Sequence, residues 1–140
     1  MTEIKPLNWD PVPGIGYNVV RRADGGMDYT FTDMSKETVK HWQDFSHQHL
    51  LDSDRLTRNL YDLRQVQKVS QQAITTAIEV NSDPSARNIR LAVLVANDEV
   101  ADAIRKIAAL ALTPASAAIK IFTEKEKAEK WLSRPLDRLA

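Results

Sequence analysis

The run Ile-Arg-Leu-Ala-Val-Leu-Val at residues 89–95 limits the fold more than any other part of the sequence. A strand with one face in water alternates apolar and polar residues, whereas a nearly continuous apolar strand is typical of a parallel sheet covered on both faces. Parallel strands need long crossover connections, which are usually helices. The run therefore predicts an α/β domain in which residues 89–95 form a central strand.

Two strands are predicted before this run. Gly16 to Arg22 and Met27 to Thr32 both favour extended chain, and the intervening Asp24-Gly25-Gly26 tolerates the positive φ angles of a hairpin turn. Apolar spacing then predicts the elements that lead up to the run: a helix over 35–50, a strand over 56–63 and a second helix from Ser70 to about residue 81.

Two helices and one strand are predicted after the run. Asn97 and Asp98 open a third helix that stops before Pro114, and a short strand covers 118–122. Thr123 and Glu126 have the spacing of a capping box, which predicts the start of a fourth helix. The order is therefore ββαβαβαβα, and right-handed crossovers turn it into a mostly parallel sheet of about five strands with helices packed on it.

The length of 140 residues fits one domain, which we place at residues 15–140. Residues 1–14 contain Pro6, Pro11, Pro13 and Gly14 and are predicted to form an extended leader. No apolar run at the N-terminus resembles a secretion signal, and no stretch approaches the roughly 18 apolar residues of a membrane span. We therefore expect a cytoplasmic protein.

Composition and residue spacing argue against several functions. Nineteen basic and nineteen acidic residues cancel, which disfavours nucleic acid as a partner. There is no cysteine, and no two of His41, His47 and His49 stand four residues apart as a helical metal pair does. Gly14-Ile15-Gly16 lacks the third glycine of a dinucleotide fingerprint and precedes a strand. We predict no catalytic residue, no metal and no cofactor.

Polar residues follow the predicted parallel strands at their carboxyl ends, where open α/β sheets leave a crevice. Six of them form a predicted binding site: Asp62, Arg64, Lys68, Ser70, Asn97 and Asp98. Two of the six residues are also expected to have a purely structural role. Asp62 is expected to accept hydrogen bonds from loop amides. Ser70 is expected to cap the second helix rather than to be phosphorylated.

The third helix ends in Ile-Ala-Ala-Leu-Ala-Leu and is apolar around most of its circumference. Surface helices normally keep a polar face. Ile107, Leu110 and Leu112 therefore either lie in the core or form an apolar contact surface, which would be a homodimer seam or a pocket for an apolar ligand.

The order of elements resembles the STAS superfamily, in particular the bacterial SpoIIAA-like proteins. The resemblance is carried by the strand that closes on Leu60-Tyr61-Asp62-Leu63-Arg64, by Arg90 to Val95, and by the ending Ile119 to Trp131-Leu132, and it spans about residues 15–133. It implies a binding module without enzymatic activity. Anti-sigma-factor antagonists of the superfamily carry a phosphorylated serine in a Ser-Gly motif, but residues 68–74 here read Lys-Val-Ser-Gln-Gln-Ala-Ile, so the resemblance implies no phosphoswitch.

We therefore predict a non-enzymatic STAS-like binding or regulatory module that engages a protein partner. The alternative is a carrier or sensor of a small apolar or lipid-like ligand, which the resemblance also implies for members without the Ser-Gly motif.

Overall fold

The computed structural model describes residues 12–24, 26–52, 57–81, 88–110 and 119–134. The order of elements within them confirms the predicted ββαβαβαβα arrangement. The strands are β1 (Tyr17–Arg21), β2 (Met27–Phe31), β3 (Thr57–Asp62), β4 (Asn88–Leu94) and β5 (Ile119–Phe122), and the helices are α1 (Lys36–Asp52), α2 (Gln71–Asn81), α3 (Asp98–Leu110) and α4 (Lys125–Leu132).

The strands form one sheet in the order β1-β2-β3-β4-β5. β1 pairs with β2 as an antiparallel hairpin, and β2 to β5 are parallel. β4 is an interior strand between β3 and β5, as its apolar sequence predicts. Because each parallel strand is added on the same side of the previous one, crossovers of one hand place α1, α2 and α3 on the same face. α4 follows the last strand and packs on the opposite face, over β3, β4 and β5.

Side chains alternate between these two faces along every strand. Tyr29 of β2 and Val93 of β4 belong to the large apolar cluster beneath the three helices. Ala92 and Leu94 of β4 pack instead with Trp131 of α4 in a smaller cluster. We call the first the three-helix face and the second the α4 face.

Three helices begin at the caps that the sequence predicts. The hydroxyls of Ser35 and Ser70 accept hydrogen bonds from the amides of Thr38 and Ala73, and the side-chain oxygen of Asn97 accepts one from Val100. Each cap satisfies a helix-end amide that has no partner within the helix. The three caps therefore fix the residues at which α1, α2 and α3 begin.

The capping box predicted for the fourth helix is wrong. The chain stays extended through Glu124, which is the N-cap residue and makes no side-chain cap bond. Its carboxylate pairs instead with the ammonium of Lys127, at 2.8 Å. The helix consequently starts one residue later than predicted, and the Thr123–Glu126 spacing no longer fits a capping box.

The predicted leader lies largely outside the described residues, which begin at Val12. Residues 12–14, the described end of the leader, lead into a turn in which the Ile15 amide donates to the Val12 carbonyl over 3.2 Å. The leader itself stays a prediction. Gly14 has φ +85°, a left-handed conformation that favours glycine.

Candidate functional site

Asp62 and Arg64 of the predicted crevice are brought together by the turn after β3. The Asp62 carboxylate accepts a hydrogen bond from the Arg64 amide over 3.0 Å and two from its guanidinium, over 3.0 and 2.8 Å. The guanidinium bond is the main cause that lowers the pKa of Asp62 below its ordinary value. The pair thus neutralises itself, and Asp62 is the acceptor for a loop amide that the sequence predicts.

Two other residues of the predicted site also have structural partners. Ser70 caps α2, and Asn97 caps α3 while its side-chain amide donates to the Gln67 carbonyl over 3.5 Å. Asn97 therefore joins the loop after β3 to the start of α3. Lys68 and Asp98 are exposed, and neither has a partner within the described residues. The geometry does not gather the six residues into one polar cluster.

The predicted apolar surface of α3 divides into two parts. Ile107 is buried in the main apolar cluster, whereas Leu110 is 50% exposed. Leu112 lies outside the described residues. Ile107 is therefore a core residue. The hypothesis that α3 presents an apolar contact surface rests on Leu110.

Ile107 also lines a cavity that lies between the three helices and the sheet. We call it the inner cavity; its volume is about 70 Å³. Its walls come from β2 to β5 and from α1, α2 and α3, and they include Phe31, Trp42, Tyr61, Ala73, Ala77 and Ile104. Protein interiors have few voids larger than a water molecule, so unfilled apolar space of this size is distinctive.

The cavity follows from small residues on the inner surface of α2. This helix packs between α1 and α3. Ala73 and Ala77 are four residues apart on one side of it, and both line the cavity. Each of these two alanines contributes only a methyl group to the lining, where a larger apolar side chain would occupy part of the space.

Two aromatic residues, Trp42 and Tyr61, line the inner cavity. Trp42 meets Tyr61 edge-on with the ring centroids 6.2 Å apart, and its indole nitrogen donates to the Tyr61 hydroxyl over 3.2 Å. Tyr29 is stacked on Tyr61 at 4.3 Å, and the two phenols also share a side-chain hydrogen bond. Burial raises the pKa of Tyr61 to about 12, so this phenol is neutral at physiological pH. The Tyr61 hydroxyl is therefore a neutral group with partners inside the protein.

Sequence reasoning places several of the residues that line the cavity in the core, but it does not predict the cavity. Helical spacing puts Val39 and Trp42 on the inner surface of α1, and Ala73 and Ala77 on that of α2. The cavity depends on two small residues of α2 and two large aromatic residues of α1 and β3 lining the same space. Which of these residues come together is known only once the strand order and the helix positions are known.

The α4 face carries the strongest charge interactions of the described residues. The guanidinium of Arg22 reaches Asp28 at 2.7 Å, Glu129 at 2.8 Å and Asp24 at 3.2 Å. Arg22 is only 10% exposed, and Glu129 extends from α4. The hydrogen bond from Arg22 is the main cause that lowers the pKa of Glu129. This cluster ties the hairpin to α4 and leaves the guanidinium saturated.

No group of three His, Asp or Glu residues among the described part of the chain is arranged to hold a metal ion. Within the same residues, none of the helices is both long and apolar enough to span a membrane.

Comparison with known proteins agrees with this geometry. The family model described as SpoIIAA-like matches residues 28–133. The crystal structure of an uncharacterised protein with a SpoIIAA-like fold from Shewanella loihica PV-4 is similar to this chain, with a TM-score of 0.61 and 18% sequence identity. The match covers 89% of this chain and 98% of that one, and at this identity it shows the fold alone. No relative is found among curated proteins.

Proposed function

The chain belongs to the SpoIIAA-like family, and from that premise we propose that it is a non-enzymatic binding module whose ligand is a small apolar molecule held in the inner cavity. The observation that carries the proposal is the unfilled apolar space that Ala73, Ala77, Trp42 and Tyr61 help to line. Members of the family are generally binding modules, and concave apolar sites with few polar groups are the usual form of a small-molecule pocket.

The volume limits what this cavity accepts. An engineered apolar cavity of about 150 Å³ stays free of water and binds benzene, which has six carbon atoms. By that scale, the 70 Å³ here holds roughly three carbon atoms. The cavity therefore takes a very small apolar molecule or the end of a longer one, such as the tip of an alkyl chain.

Methyl-detected NMR with propane-saturated buffer tests this proposal. We expect propane to shift the methyl resonances of Ala73, Ala77 and Ile104, which line the cavity, and to raise the melting temperature, because a ligand that binds only the native state stabilises it. The variant Ala77→Leu should lose the response by filling the space. The matched control is Ala109→Leu on the exposed surface of α3, which should respond like the wild type.

An unaltered methyl spectrum of the wild-type protein in propane would contradict the proposal. So would an equal response of the wild type and Ala77→Leu.

A protein partner, or a second copy of the chain, is the second candidate. The observation that favours it is Leu110, a large apolar residue that is 50% exposed at the end of α3. If this residue lies in an interface, Leu110→Asp should abolish self-association in sedimentation velocity and leave the melting temperature unchanged. Monomeric wild-type protein at all concentrations would remove the homodimer. A cytoplasmic location is part of the same proposal, and cell fractionation tests it.

A further inference from the structure

The sheet residues that line the inner cavity form a diagonal strip across four strands. From one end of the strip to the other they are Phe31, Leu63, Tyr61, Val93, Leu91 and Ile119. In the strand register Tyr61 lies beside Val93, and Leu91 lies beside Ile119. The lined level therefore moves toward the amino ends of the strands on going from β2 to β5.

The sheet residues on either side of this strip are filled in by packing. Tyr29 is the register partner of Tyr61, and Ile121 is the partner of Val93. Both belong to the apolar cluster of the three-helix face, but neither is among the described residues that line the cavity. The empty space is therefore narrow across the strip.

The strip is long compared with the volume above it. Three strand spacings and four residues along the strands separate Phe31 from Ile119, which corresponds to about 20 Å. The volume of the cavity is only about 70 Å³. Because a compact space of that volume would not reach both ends of the strip, the cavity is elongated.

The two ends of the strip are closed by different kinds of side chain. Met34 and Val69 come from the loops after β2 and β3, line the end at Phe31 and are half-buried. Ile107 and Ile119 line the opposite end, where Ile119 is half-buried as well. β-Branched side chains are stiff, whereas methionine is unbranched and changes shape easily. Met34 is therefore the side chain that can move aside to admit a ligand.

We propose that the inner cavity is a channel for the end of an unbranched alkyl chain, which enters past Met34 and leaves the polar end of its molecule in water. This inference rests on the proposed function, because it uses the same cavity. It adds the shape of the ligand, the route by which the ligand enters and its orientation.

The lining favours hydrocarbon over any polar group. The indole nitrogen of Trp42 donates to the Tyr61 hydroxyl, which also shares a hydrogen bond with Tyr29. The other side chains in the lining are apolar. A polar group placed inside would lose its hydration without a replacement hydrogen bond, which is unfavourable. The polar end of the ligand therefore stays outside the channel.

Entry of the chain end first favours a free molecule over a membrane lipid. The hydrocarbon core of a bilayer is about 30 Å thick, and the chain ends of its lipids lie near the centre of this core. A protein at the membrane surface does not reach them. The ligand is therefore a free molecule with one alkyl chain.

n-Butane and isobutane test the shape of the channel, because they contain the same atoms and differ only in branching. NMR titration of the wild-type protein gives the two Kd values without any variant. We expect isobutane to bind at least about fivefold more weakly, since an added branch overpacks a narrow apolar space. Equal Kd values would overturn the elongated channel.

1-Butanol tests the direction of entry, because roughly three carbon atoms fill the cavity and the fourth carries the hydroxyl. Nuclear Overhauser effects should connect its terminal methyl group with the methyl groups of Ala73 and Ala77, and its CH₂OH group with Met34 and Val69. Contact between the CH₂OH group and Ile119 would overturn the proposed route.

Two matched variants test whether Met34 controls entry. Met34→Ile keeps an apolar side chain but makes it β-branched, so it should slow the association of 1-butanol in NMR line-shape analysis. Ile119→Met makes the reverse change at the other end and should leave the association rate unchanged. A change of rate in Ile119→Met alone would place the entrance at the opposite end. Failure of both butane isomers to bind the wild type would instead overturn the cavity as a ligand site, so the two failures are distinguishable.

Discussion

The two faces of the sheet are covered in different ways. Three helices lie on one face, over stacked tyrosines, a tryptophan and the inner cavity. A single helix lies on the other, where Ala128 and Leu132 are fully buried against the strands. On the α4 face, Arg22 binds three carboxylates and Arg90 donates to the carbonyls of Trp131 and Arg134. The indole nitrogen of Trp131 is buried there and has no hydrogen-bond partner within the described residues.

The two faces differ in how fully the space beneath their helices is filled. On the α4 face, Ala128 and Leu132 are fully buried and the Arg22 cluster ties the hairpin to α4. The three-helix face has the larger apolar cluster, yet it retains the unfilled volume of the inner cavity. The candidate site therefore lies on the three-helix face and not on the α4 face. Four predictions test this difference between the two faces.

The largest expected effect is an asymmetric dependence of stability on pH. Burial raises the pKa of Tyr61 to about 12 and raises those of Tyr29 and Tyr17 above their ordinary value. Above about pH 10 the unfolded chain loses these protons while the folded chain keeps them, so stability falls as the pH rises. Tyr61 alone should account for ~2 kcal/mol by pH 12.

The α4 face responds in the opposite direction and more weakly. The pKa of Glu129 is lowered, so its stabilisation is present above its unfolded pKa and is lost as the pH falls. Glu129 is 39% exposed, which makes its contribution small. Urea unfolding of the wild type, Glu129→Gln and Tyr61→Phe between pH 3 and 12 measures the contribution of each residue. A loss of stability between pH 10 and 12 that is the same in the wild type and in Tyr61→Phe would contradict the prediction for the buried tyrosine.

The same substitution should have opposite effects on the two faces. Ala128→Leu forces three additional carbon atoms into a site that is 0% exposed and should lower the free energy of unfolding by about 2 kcal/mol. Ala77→Leu places them in the inner cavity and should leave stability unchanged or raise it by up to about 1 kcal/mol. Urea denaturation of both variants gives the comparison, and equal destabilisation would mean that the inner cavity is not free space.

A smaller effect is expected from breaking the Arg22 cluster. Arg22→Met leaves three carboxylates near one another without their cation and should destabilise the protein by about 1 kcal/mol, after allowance for the exposure of Glu129. Lys40→Met is the matched control, because its ion pair with Asp44 is about 70% exposed on both sides and should contribute almost nothing. Thermal unfolding measures both, and equal melting temperatures would show that the cluster does not hold α4.

The smallest effect is expected at the crevice predicted from the sequence. The double variant Arg64→Ala, Lys68→Ala should change the free energy of unfolding by less than about 0.5 kcal/mol, since both residues are exposed. It should also respond to propane like the wild type. Arg105→Ala, Lys106→Ala on α3 is the control for the lost charge. A large loss of the propane response in the loop variant alone would move the site to the crevice.

The fold could be predicted from the sequence because its signals are local. The apolar run that became β4 and the caps at Ser70 and Asn97 each act within a few residues. The fourth helix was placed one residue early, since a capping-box pattern does not report the Glu124–Lys127 ion pair that competes with it.

The site could not be predicted in the same way, because it depends on which residues meet across the layers. The crevice after β3 and β4 stays a prediction; within it, Asp62 pairs with Arg64 and Asn97 donates to the Gln67 carbonyl. The inner cavity needs Ala77 of α2, Trp42 of α1 and Tyr61 of β3 to line the same space. That arrangement follows from strand order and helix placement and not from any short motif.

A crystal structure under xenon pressure tests most directly whether the inner cavity is a binding site. Xenon enters dry apolar cavities without needing a polar contact. We predict one strong anomalous peak between Trp42, Tyr61 and Ala77 in the wild-type protein, and its loss in crystals of Ala77→Leu. A wild-type structure with no xenon at this position, or with xenon bound only on the α4 face, would contradict the account.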